Sequence, residues 1–247
     1  MKRFLMTLAI AIIVCIICTV SFTACKIELT EMDGTEYYTS TEKEHSVELV
    51  NEFFEEILKD PDFVATCVNA DGDAQYTETV KGESSYTLSE DGSKTYAFKN
   101  GGSFYAALIS KNAGGEEEST YLSSDSTKKS YYAGGPLGTM EEIYKNNHCA
   151  FMNDVSGAGI VSGLPEEDAT FSCQMRVERI SGFATSSLDF TYTSANKSVT
   201  ISASAEEKKV QTLHVVINEA GEDKSDLTWT FSHGGASLTL PDIAAWN

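Results

Sequence analysis

The chain reads as an α+β protein, an antiparallel meander of about 8–11 strands packed on one long N-terminal amphipathic helix, with one further short helix. Three observations predict this. Apolar residues over 47–58 recur at spacings of three and four. Further along, apolar and polar residues alternate, and Asp-Gly and Gly-Gly pairs divide the runs. The 247 residues are 41% hydrophobic, enough to bury a core in one domain.

The chain opens with Lys2 and Arg3, followed by 22 uncharged residues from Phe4 to Cys25. This is a positive n-region with a long apolar run, and it predicts export. Thr23-Ala24-Cys25 resembles a bacterial lipobox, with Phe22 standing where that pattern has a branched apolar residue. The resemblance implies cleavage between Ala24 and Cys25 and a diacylglycerol, carrying palmitate-type chains, on the Cys25 thiol. Two acyl chains anchor stably where one is marginal. The implied location is the outer face of a bacterial cell membrane. An uncleaved signal anchor and ordinary secretion are the alternatives. The domain reading is therefore 1–24 signal peptide, 25–40 flexible tether and 41–247 a single domain.

Within the domain, Thr41-x-x-Glu44 has a capping-box pattern. Val47, Val50, Phe54 and Ile57 form a helical stripe, widened by Leu49, Phe53 and Leu58, and Pro61 predicts the helix end near Lys59. Strands follow. Tyr86 pairs in phase with Leu88 and Tyr96 with Phe98, and Asp91-Gly92 lies between the two runs as a hairpin signal. Asn100-Gly101-Gly102 marks the next turn. Thr139-x-x-Glu142 opens a short helix over 139–148. Residues 152–167 read as a long loop, and strands then resume to the end of the chain. In the last of them Leu227, Trp229 and Phe231 share a face.

Composition excludes some functions. There are 18 basic and 37 acidic residues, a net charge of −19; without residues 1–24, which hold two of the basic ones, 16 and 37 remain, or −21. Such a surface repels phosphate backbones, so nucleic acid is not an expected partner. His148-Cys149 lacks a second ligand pair at metal-site spacing. DGDAQ at 71–75 lacks the glycine and glutamate of a calcium loop. Ser126-Thr127-Lys128-Lys129 has no companion motifs. No GxSxG or HExxH occurs. No metal, cofactor or catalytic activity is expected. With Cys25 lipidated, Cys67, Cys149 and Cys173 allow three pairings, and Cys149–Cys173 is the first expectation because it closes the long loop.

The order of lipobox, tether, amphipathic helix, tyrosine-rich meander and closing LTLPDI loosely resembles the LolA/LppX-like lipoproteins over residues 41–243. The resemblance implies a curved sheet, a half-open barrel wrapped on the helix, whose concave face holds acyl chains. The pocket candidates are then Val50, Phe53, Phe54 and Ile57 from the helix and Tyr86, Tyr96 and Phe98 from the strands. The function it implies is binding of a lipid or other hydrophobic molecule between helix and sheet. The alternative is an envelope interaction or structural lipoprotein with a filled core. The sequence names no protein partner.

Overall fold

The structure is a computed structural model that describes residues 34–152, 163–219 and 225–246. Ala24, Cys25 and the rest of the expected signal and cleavage region lie outside the described residues.

Two antiparallel meanders share one sheet. The first runs β2 (Asp62–Asn69), β3 (Ala74–Lys81), β4 (Ser84–Ser89), β5 (Lys94–Asn100), β6 (Ser103–Lys111) and β7 (Glu117–Ser123). The second runs β8 (Thr170–Ile180), β9 (Phe183–Thr193), β10 (Lys197–Glu206), β11 (Lys209–Glu219) and β12 (Ser225–His233). β12 pairs antiparallel with β2, from Leu227↔Asn69 to His233↔Phe63. β1 (Thr35–Ser40) adds to β8. The result is one open sheet of 12 strands in the order β1-β8-β9-β10-β11-β12-β2-β3-β4-β5-β6-β7. Two helices lying wholly within the described residues pack on it, α1 (Lys43–Lys59, 17 residues) and α2 (Met140–Asn147, 8 residues).

This corrects the half-open barrel of about 8–11 strands on one long helix. The outermost strands, β1 and β7, do not pair with each other, so the sheet does not close. α1 packs chiefly over β1, β8, β9 and β11, and the far half of the sheet is covered by other segments. Thr35–Ser40, read from sequence as tether, is the edge strand β1. The N-cap of α1 is Glu42, without a side-chain cap bond, and the Thr41-x-x-Glu44 box does not form. The Thr139–Glu142 box does form: Thr139 Oγ1 accepts from the Glu142 amide at 3.2 Å, and Glu142 Oε2 accepts from the Thr139 amide at 2.7 Å.

Strand alternation places one side-chain set on each face. On the helix face, Trp229, Leu213 and Cys67 lie in register, and α1 lowers Leu49, Val50, Phe53, Phe54 and Ile57 onto this core. The segment after α2 joins it through Phe151, whose ring meets those of Phe54, Phe63 and Phe231 at centroid distances of 6.1, 5.7 and 5.1 Å. Glu78 is fully buried beneath this segment and accepts from the amides of Ala150 (2.7 Å) and Phe151 (3.4 Å). A buried carboxylate is tolerated when such donors replace water, and here they hold Phe151 in place. α2 packs on the same face of β5 and β6, where Ala97 and Ala106 are small enough to let Met140, Ile143 and Tyr144 approach.

The opposite face of the first meander is covered by the chain end. Ala236 is buried there, its amide on Asp62 Oδ1 and its carbonyl on Lys81 Nζ. Past it, a 3₁₀ turn (Ile243–Trp246) puts Trp246 over Phe98, Tyr105 and Tyr121. The opposite face of the second meander carries Ser and Thr rows, among them Thr191–Thr200 and Ser187–Ser204–Thr212–Thr230, and these are polar or solvent-facing.

Phe54→Ala and Trp246→Ala are each expected to cost about 3–5 kcal/mol of stability, read by urea unfolding. The two rings lie in separate clusters on opposite faces, so the double variant is expected to equal the sum of the singles within about 0.5 kcal/mol. A strongly sub-additive double variant would contradict the two-sided packing.

Candidate functional site

The seven pocket candidates do not meet. Val50, Phe53, Phe54 and Ile57 project from α1 into the main core. Tyr86, Tyr96 and Phe98 lie on the other face of the sheet. Their strand neighbours Ser85 and Ala97 face α2, with Ser85 Oγ donating to the Asn147 carbonyl at 2.8 Å. Alternation alone forces this, because residues one apart along a strand point to opposite sides. Phe98 is closed off by Trp246, and the Tyr86 and Tyr96 rings contact each other at 4.7 Å. On the helix side the space is occupied: Val50, Phe54, Phe63 and Phe151 have no exposed surface.

The expected Cys149–Cys173 disulfide is absent. Both thiols are free and buried, and Cys67 is buried as well. Cys149 sits in a left-handed turn (φ 57°) directly after α2, beside Glu78. Cys173 sits in β8 opposite Phe190. Burial, and then the Asp189 charge, push the Cys173 thiol up to about 12. Burial and the Glu78 charge push Cys149 higher still. Neither forms a reactive thiolate at neutral pH.

A groove of about 330 Å³ remains between α1 and the second meander. Phe53, Met175, Val177, Ala184 and Ala205 give it an apolar floor. Its rim is charged and paired. Arg179 Nη1 bonds Glu36 Oε1 at 2.7 Å, and the Tyr38 hydroxyl donates to Glu36 Oε2 at 2.9 Å. These bonds, the Arg179 one foremost, hold the Glu36 carboxyl below its usual range. Lys208 Nζ reaches Glu56 Oε1 at 3.4 Å. The groove is at the lower end of the size of ligand sites, about 300–1,000 Å³. Among the described residues, no group of three His, Cys, Asp or Glu side chains is placed to hold a metal ion.

Sequence reasoning missed Glu36, Tyr38, Arg179 and Glu78. The first three become neighbours only through the β1–β8 pairing, which no local pattern signals. Glu78 had a signal: in YTETVK it is in phase with Tyr76 and Val80, on the inward set of β3.

No family model, curated protein or solved structure matches the chain.

Two predictions follow from the buried groups. Reductant is expected to leave the melting temperature unchanged, and Ellman's reagent is expected to find Cys67, Cys149 and Cys173 only after unfolding; a fall in melting temperature with reductant would restore the disulfide. His148 is stacked on Tyr144, and its Nε2–H donates to the Gly82 carbonyl at 2.8 Å. Burial lowers its pKa below the ordinary 6.5, against the opposing Gly82 bond. Above that value neither the folded nor the unfolded chain holds the proton, and the stability is complete. Below it the unfolded chain takes the proton first, so stability falls with pH. Urea midpoints between about pH 7.5 and 5.5 are expected to fall less steeply in His148→Gln than in the wild type.

Proposed function

We propose that the protein is an exported, lipid-anchored envelope protein without catalytic activity, whose interior is filled and which acts through its surface. One observation carries the filled-core part of this reading: Val50 and Phe54 on the inner side of α1 are fully buried, the Phe54 ring meets that of Phe151, and Phe151 in turn meets Phe63 and Phe231. The anchored part rests on the sequence, on the apolar run that ends at Ala24-Cys25. The second reading, a hydrophobic ligand between helix and sheet, is favoured by the apolar floor of the groove beside Phe53 and Met175. A ligand there would lie along the helix flank, away from Tyr86, Tyr96 and Phe98.

Two measurements test this. Radioactive palmitate fed to expressing bacteria is expected to label the wild type and not Cys25→Ala; equal labelling of both would sink the anchor. Organic extraction of the purified full chain, followed by mass spectrometry, is expected to release only the anchor's own acyl chains. A stoichiometric non-covalent lipid, lost in Phe53→Arg, would favour the groove reading.

A further inference from the structure

Among the described residues, the most exposed large apolar ones sit together on one hairpin. Phe183 is 71% and Ile180 62% exposed, against 55% for Leu137. They flank the turn between β8 and β9 and pair directly across it. The two turn residues, Ser181 (φ 53°) and Gly182 (φ 87°), both take the left-handed conformation of a tight two-residue hairpin turn. The turn therefore fixes both apolar side chains on one side of the hairpin, at its outermost pair. Neither belongs to a core cluster. Burying them costs nothing in the fold, and exposing them stabilises nothing.

Their position relative to the chain is as informative as their exposure. The Arg179 amide, next to Ile180, donates to the Gly34 carbonyl at 3.0 Å. Gly34 is where the described chain begins. Only eight residues, 26–33, separate it from Cys25, a reach of at most about 30 Å. An anchor at Cys25 thus keeps this hairpin within about 30 Å of the bilayer, and the chain enters the domain beside it.

The chain as a whole carries −19, a poor match for an anionic lipid surface, so the surface in question is a zwitterionic one. Three bases beside the hairpin are each neutralised by an acid: Arg179 by Glu36, Arg176 by Glu178 and Lys208 by Glu56. The neighbouring β10–β11 turn is tied to the hairpin, because the Glu207 amide donates to the Ala184 carbonyl at 2.8 Å and the Ala184 amide donates to Glu207 Oε1 at 2.6 Å.

We infer that the Ile180–Phe183 hairpin is a membrane-contacting tip that dips its two apolar side chains into the outer surface of the bilayer. It acts as a second, reversible foothold beside the lipid anchor and sets which end of the domain faces the membrane. This inference rests on the anchored reading above. An apolar pair of this size penetrates to the boundary between headgroups and acyl chains and does not span.

The test uses the full-length chain, purified from membranes and reconstituted into phosphatidylcholine vesicles containing phosphatidylcholine brominated on its acyl chains. Tryptophan is placed by Phe183→Trp and, as a control, by Leu137→Trp, on the loop before α2; Trp229 and Trp246 are buried and give a constant background. The expected result is bromolipid quenching of Phe183→Trp roughly twofold or more above that of Leu137→Trp. Equal quenching with both variants still sedimenting with the vesicles would overturn the tip and leave the anchor standing. A chain that does not sediment would instead show that the anchored reading has failed, and would take the tip with it. Concentration-dependent mass doubling that disappears in Phe183→Ser, without quenching in Phe183→Trp, would overturn the tip too and assign the hairpin to contact with a second copy.

Discussion

Everything in this molecule hangs on the pairing of β12 with β2. Each meander alone is a sheet with two open edges and a partly covered face. Joined through Leu227–His233 and Phe63–Asn69 they become one sheet. The join lies in the middle of the main core. Phe231 pairs with Ala65, and Trp229 with Cys67, and the Trp229 indole nitrogen donates to the Tyr76 hydroxyl at 2.8 Å. Trp229 is fully buried, so its N–H needs that partner. Phe63, on the same strand, touches both Phe151 and Phe231. Loss of the join would therefore expose the surface on which α1 and the segment after α2 rest.

The sheet is covered on different sides in its two halves, and this explains why a single-pocket picture fails. α1, α2 and the segment after α2 cover one face, and the C-terminal segment covers the other face of the first meander. The remaining polar face follows the usual pattern of an antiparallel sheet with one solvated side. Its hydroxyls and carboxylates bond one another across strands, as Ser204 does with Thr212 at 2.6 Å and Ser202 with Asp189 at 2.9 Å. The outermost strand β7 opens with the exposed charges Glu117 and Glu118, which discourage pairing with a further strand.

Local signals in the sequence were legible and non-local ones were not. Asp91-Gly92 and Asn100-Gly101-Gly102 mark hairpins that form, because turn conformation is decided by the residues in the turn. Thr139 and Glu142 mark a cap for the same reason. The alternation of Leu213, Val215 and Ile217 against His214 also gives the right faces. Period cannot show which side of a sheet a helix will choose, so Tyr86 and Phe98 were grouped with Phe54 although the sheet lies between them. Thr35–Ser40 has too few apolar residues to announce a strand, and its place is set by β8, far along the chain. The cysteine pairing failed similarly: loop length argued for a bridge, while each thiol already had a buried place in the core.

The central pairing also orders events during synthesis. Phe63 must wait for His233, and until the last strand has been made the inner edge of β2 has no partner. Contacts this far apart in sequence close slowly. The first meander can form its hairpins early, but the platform for α1 exists only when the chain is nearly complete. A chain cut short before β12 would therefore present an open strand and a bare aromatic floor to its surroundings.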